Sequence, residues 1–527
     1  MIYIVGSGPA GVACAHALVS RGVPVTLLDT GIEMEPDLRQ VVTTLSAQPP
    51  SAWNAADVER IKRPTEVSDR AIPLKAAYGS LFPYRHAAKR LSFEVHGVDA
   101  APSYARGGFS NVWGATVLPY HARDIVDWPV RADELAPHYR AVAQLMPIAE
   151  QTDRLAAEFP LFTDASQPLN ASRQADALMR DLEANADALE RDGWRFGRSR
   201  LAVVANAAGS GGGCVYCGLC LYGCPYGLIY NASATLDQLR RSDGFAYRPD
   251  VVVSRVEESG GRVRILGEHR TTGEALSFDA DRVYLAAGVF NTTAILLASL
   301  DAYDVPVPVL DSQLFLVPTL RFAGVPAVAE EPLYTLSQIF VELIKPSISL
   351  KTIHMQVYSY NDWYATAIKR RIGALFPLAR PWLTALLSRL MAVQGYLPSE
   401  LSPHIMATLR RSGAGQTLVL EAEASERSAA AIDEIVGTLR RHRRHVRAVA
   451  LTPLLERGAP GRGYHTGGSF PMCAQPSRFE SDRWGRPHGF ERVHVVDATV
   501  FPSIPSGPIT FSVMANAHRI AAECAGS

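Results

Sequence analysis

Four apolar positions, Ile2-Tyr3-Ile4-Val5, open the chain; Gly6-Ser7-Gly8-Pro9-Ala10-Gly11 follows, and Val12 to Arg21 has the composition of a helix. A short unbroken apolar run is the pattern of a strand buried on both faces. A second such run, Val23 to Leu28, ends on Asp29. Between Tyr247 and Gly288, short strand-like stretches are broken by turns such as Gly260-Gly261. The last of them, Arg282 to Leu285, passes through Ala286-Ala287-Gly288 into a helical run from Asn291 to Leu300. Arg131 to Leu145 and Gln174 to Arg191 carry good helix formers. Residues 305–360 alternate in strand fashion, 364–392 read as helix, 404–424 as strand and 425–441 as helix. The stretch 36–105 is rich in proline and polar residues and is predicted to run over the surface. Strand–turn–helix units near both ends, with a strand-rich region between them, predict an α/β chain.

The first unit carries chemistry. Gly6 permits the tight turn, Gly8 lets a pyrophosphate approach the backbone, and Gly11 lets the helix pack on the strand. With Ser7 and Ala10 these residues form a candidate cofactor loop, and the helix N-terminus offers its free N–H groups to the phosphates. Asp29, at the end of the second strand, is placed to bind ribose hydroxyls. The pattern predicts a Rossmann-like dinucleotide site without choosing between FAD and NAD.

Near the C-terminus a polar His465 stands in Gly463-Tyr464-His465-Thr466-Gly467-Gly468-Ser469-Phe470-Pro471-Met472. Val495-Val496-Asp497-Ala498 then places an acid at a strand end, and Ser506-Gly507-Pro508-Ile509-Thr510 opens a helical run to Ala521. That order suits a flavin enzyme. The imidazole can take a substrate proton, the acid can bind a cofactor hydroxyl, and the helix N-terminus can face electron-rich flavin edges. The segment resembles the C-terminal signature of the glucose–methanol–choline (GMC) oxidoreductase family, whose His-x-x-Gly-Ser/Thr-x-x-Met run supplies the catalytic histidine; His465, Gly468, Ser469 and Met472 match it. Gly107-Gly108-Phe109-Ser110-Asn111-Val112-Trp113-Gly114 resembles the family's Gly-Gly-x-Ser loop. There Gly107 and Gly108 let backbone approach a planar ligand, and Ser110 and Asn111 can bond the ring or its ribityl chain.

The resemblance implies an FAD enzyme that oxidises a CH–OH group, with His465 accepting the hydroxyl proton while hydride passes to the flavin. It further implies that Asp497 binds cofactor hydroxyls and that Pro508, Ile509 and Thr510 lie along the flavin ring. The motif style is nearest to pyranose-oxidase-like members, which implies a sugar or glycoside substrate, with a lipid or sterol alcohol second. Those members carry a covalent flavin on a histidine just before the tryptophan; Val112 stands there, which implies non-covalent FAD. The family usually sets Asn or His before the proline of Pro508, and Gly507 departs from this. His465 then lacks its usual partner; Tyr464 and Asn516 are candidate stand-ins. A second reading is a non-catalytic flavoprotein that relays electrons through flavin and a cluster.

Cys214, Cys217, Cys220 and Cys224-Pro225 have the spacing of bacterial ferredoxin cluster ligands. Cys214, Cys217 and Cys220 are the surest of them, while Cys224 completes the set, is left out of a three-iron cluster, or is replaced by Cys473. Structural thiols or disulfides, and zinc, stay open as alternatives. A cluster beside a flavin would pass electrons singly to a protein or quinone acceptor. Cys14 and Cys524 fall on apolar helix faces and are expected in the core.

The chain has 527 residues, 47% of them hydrophobic, and a formal net charge of zero. A large core is expected, and no general attraction to nucleic acid. With the first strand starting at residue 2, no export segment of the usual kind is expected. No apolar run reaches the ~20 residues that span a bilayer. A cytoplasmic chain is expected, and export in company with a signal-bearing partner stays open. Ile368 to Leu397 is apolar, with Arg370, Arg371, Arg380 and Arg389 along it. It can pack on the substrate region, line a hydrophobic entrance or lie peripherally on a membrane. The whole reads as a Rossmann-like FAD-binding domain assembled from the discontinuous segments 1–130, 206–300 and 458–527, with an inserted α+β substrate-binding domain from 131–205 and 301–457.

Overall fold

The opening apolar run is the strand Ile2–Val5. Val25–Leu28 and Arg282–Leu285 flank it, both parallel, with Ile2 opposite Val25 on one side and Arg282 on the other. Phe245–Arg248 and Val493–Val495 close a five-stranded parallel sheet at its two edges. The nucleotide-binding sheet is therefore gathered from segments far apart in sequence, as the separated strand–turn–helix units predict. The computed structural model describes residues 1–63, 74–163, 167–206, 212–364, 366, 376–413 and 415–525.

Helix Pro9–Val19 covers the sheet and packs on helix Ile509–Cys524. Its proline at the helix start replaces an N–H that would have no partner there. Two glycines are forced by this packing. Gly6 has φ 101°, and a Cβ on it would lie 2.4 Å from the Ala286 carbonyl oxygen; a Cβ on Gly11 would lie 1.9 Å from the Gly6 oxygen.

Val251–Ser259, Arg262–His269 and Ala275–Ala280 form a three-stranded antiparallel sheet before the chain re-enters the parallel one. A second mixed sheet joins Thr466–Gly467, Pro306–Asp311, His404–Ser412, Gly415–Glu423 and Leu91–His96. The inserted region is a large antiparallel sheet in the order Ala448–Ala450, Leu314–Arg321, Leu390–Tyr396, Ile353–Tyr358, Ile339–Leu343, Trp194–Arg198. Helices Arg173–Ala184 and Glu426–Arg441 pack with this sheet in a second apolar core that includes Leu182, Phe196, Phe315, Met355 and Ile435.

Some elements differ from the expectation. Helix Ala132–Leu145, grouped with the inserted region on sequence, packs on Ile509–Cys524: the Tyr139 ring lies 4.7 Å from Phe511, and its hydroxyl bonds Ser512 at 2.6 Å. The stretch 36–105 contains helices Pro36–Ser46 and Ala55–Lys62 as well as strand Leu91–His96. Within 364–392 the described helix is Phe376–Leu387, and Leu390–Tyr396 is a strand. Arg370 and Arg371 lie outside the described residues.

The two loop glycines are expected to respond differently to substitution. Gly11→Ala drives a methyl into the Gly6 carbonyl and should lower unfolding free energy by about 1–3 kcal/mol, the usual scale of overpacking. A Cβ on Gly8 meets nothing within 4 Å, so Gly8→Ala should unfold at the wild-type denaturant midpoint and lose bound dinucleotide instead. Urea titration with quantitation of released cofactor separates the two outcomes.

Candidate active site

A single cavity of about 810 Å³ runs along the C-terminal ends of the parallel strands and under the inserted sheet. Gly6, Ser7, Gly8, Ala10 and Asp29 line one part of it, Gly108, Ser110 and Val112 another, and Pro508, Ile509, Thr510 and His465 a third. Open α/β sheets bind ligands at this edge, where strand ends and helix N-termini converge.

At the nucleotide end the two glycine loops meet. A Cβ built on Gly108 would lie 3.4 Å from the Gly8 Cα. The Ser7 hydroxyl accepts from the Gly107 N–H at 2.9 Å and donates to Asp29 Oδ2 at 2.6 Å. Tyr247 donates to the same oxygen at 3.0 Å. Burial pushes the Asp29 carboxyl up to about 6, against these donors, which pull it down. Asp29 thus stands oriented in the cavity wall. The open backbone at Gly8 is the cradle that a pyrophosphate needs, and the residues present fit a dinucleotide.

Other predicted cofactor residues brace this site from within. Ser110 donates to the Gly107 carbonyl at 2.5 Å and accepts from the Ala232 N–H at 2.9 Å. Asn111 donates to the Arg106 and Gly108 carbonyls and accepts from Asn231 at 2.7 Å. Both hold the glycine loop in shape. Asp497 Oδ2 accepts from the Gly288 N–H at 3.0 Å and the Thr292 hydroxyl at 2.6 Å, while Oδ1 accepts from the Thr499 N–H at 3.0 Å. It ties the turn Ala498–Val500 to the start of helix Val289–Ser299 at the edge of the cavity. Gly11 lies beneath the loop, where the helix meets the strand.

His465 is half-buried at the cavity wall, and its Nδ1 is buried with no hydrogen-bond partner among the described residues. Its ring stacks on Tyr396, with centroids 4.7 Å apart and planes at 20°. Burial, and secondarily the nearby His354, holds its pKa down to about 3, so the imidazole is neutral at ordinary pH. The signature residues around it are structural. A Cβ on Gly468 would lie 2.8 Å from the Phe501 carbonyl oxygen, the Ser469 hydroxyl pairs with Thr293 at 2.7 Å, and Met472 is buried.

The proposed stand-ins for the residue replaced by Gly507 do not take its place in one arrangement. Asn516 is buried in the C-terminal helix, where its Oδ1 accepts from Arg519. Tyr464 lines the cavity with its ring 4.8 Å from Phe109. What faces His465 instead is the paired edge of two inserted strands. Along Ile353–Tyr358 and Leu390–Tyr396, the register sets His354 opposite Tyr396, Gln356 opposite Gln394, and Tyr358 opposite Ala392. Alternate residues share a sheet face, and Gln356, Tyr358, Gln394 and Tyr396 line the cavity.

A directed hydrogen-bond chain runs behind that wall. Tyr358 donates to Gln356 Oε1 at 2.8 Å. The Gln356 amide nitrogen meets His354 Nε2 at 3.1 Å, and His354 Nδ1 meets Glu342 Oε1 at 2.6 Å. An amide nitrogen can only donate, so His354 Nε2 accepts and Nδ1–H donates to Glu342. Burial pushes the Glu342 carboxyl up, and His354 opposes that shift. Sequence reading missed this array. Its one signal was a run of polar residues, His354, Gln356 and Tyr358, at period two within an otherwise apolar strand.

Residues 405–517 match the family model described as GMC oxidoreductase. The C-terminal segment of the chain is thus similar to a GMC oxidoreductase domain. His465, Gly468, Ser469, Met472, Asp497 and Pro508 all fall inside the matched span. Residues 4–33 match an NAD(P)-binding Rossmann-like domain, a span that holds the glycine loop and Asp29. Comparison with curated protein sequences returns no match. Among solved structures, the crystal structure of pyridoxine 4-oxidase from Mesorbium loti is similar, with a TM-score of 0.60 and 16% identity over 100% of this chain and 99% of that one. At that identity the likeness is one of fold.

Cys214, Cys217, Cys220 and Cys224 lie near one another: burial first, and the three neighbouring cysteines after it, push the Cys214 thiol up to about 12, and burial with Cys220 and Cys224 pushes Cys217 up to about 11. Cys214 and Cys220 pack on the main core and Cys217 against Leu45, Ile61 and Leu219. Among the described residues no group of three or more His, Cys, Asp or Glu is placed to hold a metal ion. Cys473 lies against Glu480, with Sγ 3.6 Å from its carboxylate. Cys14 and Cys524 are buried, as expected.

The Glu342–His354 pair is expected to be worth measuring by substitution. Glu342→Ala leaves a buried N–H without an acceptor and should cost about 1–3 kcal/mol in urea unfolding. Glu342→Gln keeps an acceptor oxygen and should cost clearly less. Equal losses in the two variants would show that the hydrogen bond is not what holds His354.

Proposed function

We infer that the protein is an FAD-dependent oxidoreductase that oxidises a CH–OH group, with His465 as the proton acceptor. The observation that carries this reading is a neutral imidazole, its Nδ1 unpartnered, in the same cavity as an open dinucleotide cradle. FAD, when bound, supplies the hydride acceptor. Gly6, Ser7, Gly8 and Ala10 hold its pyrophosphate, Asp29 its adenosine ribose, and Pro508 to Thr510 present the C-terminal helix start to the ring. The cavity wall at the expected attachment position is Val112, which has no group to bond a flavin, and supports a non-covalent cofactor. His465 takes the hydroxyl proton as the substrate C–H bond breaks, and burial keeps it free of a proton beforehand. Tyr396 holds its ring by stacking.

A sugar or glycoside is the substrate class favoured by the wall opposite. Strands Ile353–Tyr358 and Leu390–Tyr396 present two carboxamides, two phenols and no carboxylate to the cavity. Carboxamides bond neutral hydroxyls in both directions, and flat rings such as Trp113 and Tyr358 offer apolar faces to the C–H side of a ring. The similar fold of pyridoxine 4-oxidase makes an aromatic alcohol such as pyridoxine the natural comparison in a substrate screen.

Anaerobic addition of sugars, glycosides and aromatic alcohols should bleach the flavin of the FAD-loaded protein for at least one class. A flavin that stays oxidised with every one of them would favour an electron-relay role. His465→Ala should lower turnover by a factor of about 10² to 10⁴ with FAD content unchanged. The pH dependence follows from the depressed pKa. A histidine held down to about 3 is already deprotonated at pH 5, so kcat/KM should show no acid limb near the ordinary histidine value of ~6.5. An acid limb that disappears in His465→Ala would overturn that assignment of its protonation state. Acid precipitation should release the flavin into solution.

A further inference from the structure

The helix Phe376–Leu387 lies beside the substrate end of the cavity. Its Leu383 and Leu387 are buried against Val328, Tyr360 and Tyr364, and Tyr364 lines the cavity. The opposite face is exposed in an unusual way. Trp382 is 80% exposed and Leu386 37% exposed, and the exposed Arg389 follows in the turn just after the helix. A large aromatic in water on a helix whose other face is packed is a feature of binding surfaces rather than of folding.

A basic group adjoins it through the backbone. The Arg321 N–H donates to the Arg389 carbonyl at 3.0 Å, and the next residue, Phe322, donates to the Arg447 carbonyl at 2.9 Å. Phe322 is itself 44% exposed. Arg440, Arg441, Arg443, Arg444 and Arg447 crowd the end of helix Glu426–Arg441 and the turn after it, and all are exposed. Arg441 and Arg447 pair with Asp192 and Asp181; Arg389, Arg443 and Arg444 have no ion-pair partner among the described residues. The formal charge of the whole chain is zero, so this concentration of cations is a local asymmetry. No described helix is long and apolar enough to cross a membrane.

We propose that this face, with Trp382, Leu386 and Phe322 as apolar anchors and Arg389, Arg443 and Arg444 as cationic contacts, docks on an anionic lipid bilayer. A short interfacial helix gains little from apolar contact alone, and stable attachment takes a second, electrostatic signal. Both signals occur side by side here. Aromatic side chains with a polar edge settle at the headgroup level, and arginines meet lipid phosphates with paired N–H groups. Docking sets the outer side of the Tyr364 wall against the membrane and places the substrate end of the cavity nearest the lipid. The proposal does not rest on the identity of the substrate.

The test is flotation of the FAD-loaded, full-length protein with vesicles of phosphatidylcholine alone and of phosphatidylcholine with phosphatidylglycerol. Binding is expected only to the anionic vesicles and should weaken as salt rises. Arg389→Gln/Arg443→Gln/Arg444→Gln should reduce it by about fivefold per charge removed, on the order of a hundredfold in all. Trp382→Ser/Leu386→Ser should reduce it as well, with retained flavin absorbance showing that each variant is folded. A wild-type protein that stays with the soluble fraction at low salt would overturn the proposal. So would equal binding to the uncharged vesicles, or a face that instead pairs two copies, seen as a dimer in sedimentation that the Trp382 variant dissociates.

Discussion

Everything at the nucleotide end depends on one close approach: the start of helix Pro9–Val19 lies directly on the turn at Gly6. A methyl at residue 11 would sit 1.9 Å from the Gly6 oxygen. Side-chain contact of that kind cannot be relieved by a rotamer change, because the opposing atom is backbone. With the helix seated, its N-terminal N–H groups face the cavity and the strand ends align beside them. The second glycine loop, at Gly107 and Gly108, then reaches the first through Ser7, which links the loop backbone to Asp29.

The buried acids show how one residue type serves different ends. Asp29 keeps its place in the cavity wall, oriented by Ser7 and Tyr247. Asp497 is an internal brace whose oxygens accept from a helix start and a turn. Glu342 sits farthest from water and orders a line of polar side chains that ends at Tyr358. A buried carboxylate without partners would be costly, so each is found where N–H and O–H donors converge. Asp29 and Asp497 draw donors from distant segments, Tyr247 for the one and Gly288 and Thr292 for the other. For Glu342 they come from a neighbouring strand.

His465 owes its charge state to burial. In water an imidazole is partly protonated near neutrality, and a protonated ring cannot accept a proton. Enclosure between Tyr396 and the cavity disfavours the cation, so the imidazole stays neutral across the ordinary pH range. The wall of amides and phenols facing it belongs to a different part of the chain. The His465 side chain and that wall thus meet only where the inserted sheet closes over the parallel one.

The sequence alone determined the local devices: the glycine turn with its Asp29, the His465 turn, the helix opened by Pro508, and the parallel strands assembled from distant segments. Each depends on a few adjacent residues or on an apolar run, and such short-range constraints are written directly in residue order. Tertiary structure decided the rest. It gave Ser110, Asn111 and Asp497 their bracing hydrogen bonds, packed helix Ala132–Leu145 on the C-terminal helix, and set Glu342, His354, Gln356 and Tyr358 in one line. In every such case the outcome turns on which distant surface a side chain meets, and spacing along the chain carries no information about that meeting.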